Sequence, residues 1–294
     1  METTTEQLVR ESLKGSREAL EEVVRRVQGS IYALALRMLF LPADAEDATQ
    51  EILIKVITRL KTFRFEGPFQ HWVMKVAANH LKTVRKGRVE KRDLTLEKAQ
   101  ELLDHAEAMG WFSSQPEAPE PILEVEIRSA CAQALLLTLD RNHRLAFVLG
   151  VVMDVSSREG GFILEISPAA FRKRLSRARQ RVMGFLTANC GLFNESNACR
   201  CSGILTGHLI RGWINPQQPL LTSRYSEKPM ANATLVALMK ELEELERVSA
   251  FYKSSPENKD SVDFTAMVKD LVEREASLVF GEPEWDNGNS SELH

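Results

Sequence analysis

No glycine-rich phosphate loop, no internal repeat and no run of apolar–polar alternation occurs in these 294 residues. The first absence removes the backbone cradle that nucleotide-binding loops use, and the last removes the period-two signature of a half-buried sheet. Four cysteines are too few to staple a chain of this length, so a disulfide framework is excluded. Long hydrophobic runs are also missing. The most apolar stretch, Ile31 to Leu41, is interrupted by Arg37 and falls far short of the roughly 20 residues of a membrane span. The opening METTTEQLVRESLK shows neither a basic leader nor an apolar signal segment. A cytoplasmic protein with no membrane partner is expected, and 44% hydrophobic content suffices for two or three small cores.

What is present is charge, unevenly spread. Residues 227–294 hold 15 acids against 7 bases, a net of −8, so with −3 overall residues 1–226 carry +5. The basic excess peaks between Arg172 and Arg181, where six bases stand without an acid. On a helical period, Phe171, Leu175, Ala178 and Val182 share one face and Arg172, Lys173, Ser176, Arg177 and Gln180 the other. Alone this is either a solvated basic face or a surface for nucleic acid. The residues before it favour the second: a short helix over Ser156–Leu164, a turn at Glu165-Ile166-Ser167, then Pro168 at a first helical position. Helix, tight turn, basic helix is the order of a helix-turn-helix, whose second helix enters the major groove.

A second basic patch lies upstream. The spacing predicts helices at 18–28 and 31–40, then one from a cap at Asp44 to about Thr62 with Thr49, Ile52, Leu53, Val56 and Leu60 inward. Its outer face carries Asp47, Glu51, Ile54 and Thr58; an apolar residue among acids there suits a protein partner as well as it suits plain solvent. After the loop Arg64–Pro68, a helix from Phe69 to about Lys86 buries Phe69, Trp72, Val73, Val76, Ala77 and Val84 and turns Lys75, Lys82, Arg85 and Lys86 outward. Rings beside a basic helix can stack on unpaired bases while lysines follow the phosphates. Trp72 fits either that role or the core.

Residues 93–126, with Pro116, Pro119 and Pro121, are expected to be a flexible linker between separately folded units. Beyond the second unit, Cys190, Cys199 and Cys201 stand as C-x8-C-x-C, and His208 follows after six more residues. Three thiolates and an imidazole could hold zinc; an inert loop is as open, a redox-sensing thiol pair is the lesser alternative, and Cys131 stands apart. No acid–base pair or activated nucleophile accompanies these thiols, which argues against a thiol or zinc enzyme. Amphipathic helices are expected near 232–252 and 262–279. They form either a hairpin on their own chain or an acidic module covering a basic face.

Three motifs in order resemble the extracytoplasmic-function sigma factors of bacterial RNA polymerase. Asp44-Ala45-Glu46-Asp47-Ala48-Thr49-Gln50-Glu51 is similar to the family's polymerase-binding helix. Phe65-Glu66-Gly67 through Phe69, Trp72, Ala77 and Asn79 is similar to its promoter-melting segment. Ile166-Ser167-Pro168 through Arg174-Leu175-Ser176-Arg177-Ala178-Arg179 is similar to its −35 reader. The resemblance covers 5–90 and 127–187. It implies an all-α fold of two small helical domains, here 1–92 and 127–187, joined by the linker 93–126 and followed by a cysteine-containing segment, 188–225, and an acidic helical extension, 226–294. It implies that Asp47, Glu51 and Ile54 bind core polymerase. Phe65, Glu66, Gly67, Trp72, Lys75, Asn79, Lys82 and Arg85 would then take the opened −10 strand, and Arg172, Lys173, Ser176, Arg177 and Gln180 the −35 duplex. It further implies a non-enzymatic factor that needs no cofactor, zinc being an option only at the cysteines. A separate anti-sigma protein, or the extension acting in its place, would restrain it. The alternative is a stand-alone helix-turn-helix regulator. One departure stands out: where the family usually has Glu-Ile-Ala, this chain has Glu159-Gly160-Gly161, and the missing Ile is expected to loosen the reader.

Overall fold

The computed structural model describes residues 3–85, 87, 89–112, 121–212, 214–224, 228–254 and 263–274. Among these the fold is helical throughout, apart from an isolated bridge between Cys190 and Cys199. No helix in them is long and apolar enough to cross a membrane.

α1 (Thr5–Ser12) starts at Thr4, which exchanges capping bonds with Gln7. α2 (Arg17–Leu39) is capped by Ser16 and is one helix where two were expected. Leu20, Val24, Val27, Ile31, Leu34 and Met38, all buried, keep one phase across Gly29-Ser30, so packing carries the helix through. α3 (Pro42–Thr58) begins with Pro42 in its first turn, before the expected cap at Asp44. Its expected core residues Thr49, Ile52, Leu53, Val56 and Leu60 are all buried. α4 (Phe69–Thr83) lies against α2 and α3.

The span expected as a linker holds structure on both sides of 113–120, which fall outside the described residues. α5 (Leu96–Ala108) is capped by Thr95, and α6 (Pro121–Leu137) opens on Pro121. Leu103 and Ala106 meet Leu123, Ile127, Ile204 and Leu205 in a small second core. α7 (Arg141–Phe147), capped by Asp140, runs through a π-helical turn at Val148–Val152 toward α8 (Ser157–Leu164) and α9 (Pro168–Asn189). α10 (Cys201–Ile210) follows the cysteine loop. α11 (Asn232–Lys240) and α12 (Glu244–Lys253) divide the expected 232–252 helix, because Glu243 forms a fresh capping box with Glu246. α13 (Thr265–Arg274) lies within the expected 262–279; 262 and 275–279 lie outside the described residues.

The expected separation of the two helical units, 1–92 and 127–187, is not what the structure contains: they abut. One buried core runs from α1–α4 through α6–α9 to α11, α12 and Phe264. Polar groups stitch the same junction. The buried Arg144 guanidinium donates to Met38 O at 2.5 Å, Leu136 O at 2.9 Å and Leu139 O at 2.9 Å. It also pairs with Glu90 Oε1 at 3.2 Å, while Arg141 holds Glu90 Oε2 at 2.6 Å and caps α4 by donating to Val84 O at 2.6 Å. Burial raises the Glu90 pKa, but the Arg141 hydrogen bond and the Arg144 charge outweigh it, leaving the carboxyl below its ordinary range.

Candidate nucleic-acid interface

α9 presents the expected division of faces. Phe171, Ala178 and Val182 are buried and Leu175 half-buried, while Arg172, Lys173, Ser176, Arg177, Gln180 and Arg181 are exposed. The helix is placed by its turn. Ser167 caps α9 by accepting from Ala170 N, and Ser156 and Glu159 form a capping box on α8. Glu165 ends α8 in the left-handed region at φ 57°. Gly161 allows the close approach, since a Cβ there would stand 2.9 Å from Ile166 O. Gly160 corrects the expected looseness: the fully buried Phe171 ring fills the place of the missing side chain, 2.3 Å from where a Cβ would be. Arg179 turns back to donate to Gly150 O at 3.2 Å, so not every base of the stretch faces outward.

The loop before α4 is an aromatic cluster. Phe63 meets Phe65 at 4.7 Å, Phe69 at 5.1 Å and Trp72 at 5.9 Å between ring centroids, and Phe69 stacks on Trp72 at 5.5 Å. Trp72 is therefore packed as a core ring with one side half-exposed. Phe65 adopts φ 57° and lies under the Arg10 guanidinium, 3.9 Å from the ring centroid. Glu66, Gly67 and Pro68 are exposed. Glu6 accepts from Phe69 N at 3.0 Å, so α1 supplies two residues, Glu6 and Arg10, that no motif pointed to. Their i,i+4 spacing on one helix face was the available signal.

The outer face of α4 is turned onto the helix-turn-helix. Lys75 pairs with Glu165 at 2.8 Å, Asn79 donates to the same carboxylate at 2.9 Å, and Lys82 donates to Leu164 O at 3.3 Å. His71 lies 3.5 Å from Glu159, and Lys75 stands over Phe162. The Lys75 and Asn79 hydrogen bonds hold the Glu165 pKa below its usual value, and burial lowers that of Lys82. Arg85 is exposed; Lys86 and Arg88 lie outside the described residues. Three residues expected to hold DNA are thus engaged within the chain.

On α3, Asp47, Glu51 and Ile54 are exposed along one face. Glu51 also approaches His80 Nε2 at 3.6 Å, and Lys55 Nζ lies 2.5 Å from Nδ1 of the same buried ring. Burial, then the Lys55 charge, lowers the His80 pKa.

The cysteines are brought together differently from expectation. Cys190 and Cys199 form the isolated bridge, with Gly191 N donating to Cys199 O at 3.0 Å, and Cys201 opens α10. Burial, then the neighbouring thiols of Cys131, Cys190 and Cys199, pushes the Cys201 pKa up; Cys199 is pushed up to about 12, burial again leading. Cys131, set apart in the sequence, lies near enough to add to the rise at Cys201, since i,i+4 steps from Leu123 and Ile127 bring it to that side of α6. His208 lies farther off: seven positions along α10 carry it about 10 Å from Cys201, onto the edge of Trp111. Among the described residues no three Cys, His, Asp or Glu side chains converge in a metal-holding geometry, so the expected zinc set does not fit.

The extension, read from sequence as either a hairpin on its own chain or an acidic cover, packs α11 on α12 and both on the body. In the described residues three of its lysines pair with the body, Lys240 to Glu195 at 2.7 Å, Lys253 to Asp154 at 2.5 Å and Lys269 to Glu21 at 3.4 Å, and the Asp263 pKa is lowered by hydrogen bonds from Thr265 and, in smaller part, by the charge of Arg25 on α2.

Residues 23–89 match the Sigma-70 region 2 family. Over 181 residues the chain is 25% identical to the ECF RNA polymerase sigma factor SigW of Bacillus subtilis, covering 61% of this chain and 95% of that one. Over 168 residues it is 29% identical to the ECF RNA polymerase sigma factor SigE of Mycolicibacterium smegmatis, covering 56% and 61% respectively. A solved structure of CnrH in complex with the cytosolic domain of CnrY overlays with a TM-score of 0.42 at 22% identity, covering 62% of this chain and 96% of that one.

Proposed function

The chain belongs to the extracytoplasmic-function sigma factors of the sigma-70 family, and on that premise we propose how its parts share the work of transcription initiation. α3 docks on core RNA polymerase through Asp47, Glu51 and Ile54. α9 lies in the major groove of the −35 element, where Arg172, Lys173, Ser176, Arg177 and Gln180 meet base edges and phosphates. The exposed loop Glu66–Pro68 and the α4 face of Lys75, Asn79 and Lys82 take the opened −10 strand, phosphate contacts offsetting lost stacking. One observation carries this reading: the outward face of α9 is wholly polar and exposed behind a rigidly capped turn. A stand-alone helix-turn-helix regulator would leave the α3 face and the aromatic loop without a task.

The test is a pull-down with purified core RNA polymerase, comparing the intact protein with Asp47→Lys/Glu51→Lys, followed by transcription from a randomised promoter library. Binding lost in the double variant, with enrichment of a two-part promoter, is the expected result. Duplex DNA bound through α9 without any polymerase binding would replace this reading with the stand-alone regulator.

A further inference from the structure

We infer that the C-terminal extension is a cross-brace holding the two promoter-reading units closed over the α4 face, an inference that rests on the reading just given. The α4 residues proposed for the opened strand are occupied by Glu165 and the Leu164 carbonyl, so DNA cannot reach them while the units stay together. The Lys75–Glu165 pair is partly exposed and weak by itself, so closure rests on the shared core, on the buried Glu90 junction with Arg141 and Arg144, and on any segment fixed to both units.

The extension attaches to both units. On the helix-turn-helix side its anchorage is deep. Tyr252 OH donates to Ala132 O at 3.1 Å, Ser249 Oγ to Val151 O at 3.1 Å, and the Tyr252 ring meets Phe147 at 5.0 Å. The fully buried Arg128 of α6 donates to Asn232 Oδ1 at 2.6 Å and to Met230 O at 2.8 Å, tying α6 to the start of α11. On the other side α13 packs on α2. The buried Phe264 joins the core and donates its N–H to Gln28 Oε1 at 3.0 Å, and Lys269 reaches Glu21. A segment fixed at α6 and α7 by one end and at α2 by the other resists their separation, whichever residues face the DNA. This makes the extension a restraint on a two-state opening, in place of a charged plug over a basic surface.

The experiment uses the full chain carrying a fluorescent donor and acceptor introduced as encoded amino acids at Arg59 and Ala188, both exposed and outside the reading faces. The intact protein should show one short-distance population. Phe264→Ser with Lys269→Glu should enlarge a long-distance population about tenfold and raise transcription by core polymerase in the same sense. Lys269→Glu alone alters a partly exposed pair without touching the core; it should move both readouts partway, and Glu21→Lys/Lys269→Glu should restore closure. Unchanged distances in both variants, with hydrogen exchange showing α13 released, would overturn the brace. Opening without promoter-dependent transcription from any of the proteins would uphold the brace and overturn the promoter-reading assignment of α4 and α9.

Discussion

Lys75 and Glu165 meet at 2.8 Å where the α4 face adjoins the turn of the helix-turn-helix, and Asn79 donates to the same carboxylate at 2.9 Å. One residue therefore does two things: its backbone, at φ 57°, ends α8, and its side chain occupies the proposed strand-binding face. Glu165→Gln keeps the backbone and removes the charge. A partly exposed ion pair is worth at most about 1 kcal/mol, so affinity for a single-stranded −10-like oligonucleotide should rise by no more than roughly fivefold. Fluorescence anisotropy on the labelled oligonucleotide checks this, and an unchanged or weaker affinity would mean that Glu165 does not compete with DNA.

Glu90, held by Arg141 and Arg144, ties closure to acid. Its pKa is depressed in the folded chain, so its contribution is complete above the unfolded carboxyl value of about 4.3 and is lost as pH falls through the lower folded value. Chemical denaturation of the intact protein should show stability falling below about pH 4.3, with a shallower fall in Glu90→Gln. Equal slopes in the two proteins would remove Glu90 from the account.

Gly160→Ala sets helix propensity against packing. Alanine gains about 1 kcal/mol in a helix interior, but its Cβ would lie 2.3 Å from the buried Phe171 ring, and overpacking costs roughly 1–3 kcal/mol. The variant should melt below the intact protein by thermal denaturation; a higher melting temperature would show that the Phe171 pocket yields freely.

Arg177→Ala should weaken binding to duplex DNA of the selected promoter. If Arg177 contacts a phosphate, the slope of log affinity against log salt should fall in magnitude by about 1, uniformly across sequences. Relaxed specificity at one base pair with an unchanged slope would reassign it to a base edge.

Residue pattern made the individual helices and the polar face of α9 legible, because burial on one side imposes a period that survives in any single sequence. Thr49, Ile52, Leu53, Val56 and Leu60 fell inward as their spacing required. What the pattern could not carry was anything decided between segments. Glu90, Arg141 and Arg144 are unremarkable in sequence, and become a junction only when the turn that follows α4 meets α7. Phe171 compensates for Gly160 across a turn, so the lost Ile looked like a defect from one side alone. Cys131 comes near Cys201 by the i,i+4 steps of α6, whereas His208 leaves it because helical rise outruns a short sequence gap. α2 runs unbroken past Gly29-Ser30, whose local tendency to break a helix is overridden by the apolar stripe on either side.

The single core that runs through both units has a calorimetric consequence. Separating the units must hydrate apolar side chains, and hydrating apolar surface carries a positive heat-capacity change. The opening equilibrium is therefore curved in temperature, and the apolar share of the closing force fades on cooling. Distances measured across a temperature series should show the open fraction passing through a minimum instead of rising steadily with heat, so the same promoter-reading face would be most securely hidden within one band of temperature.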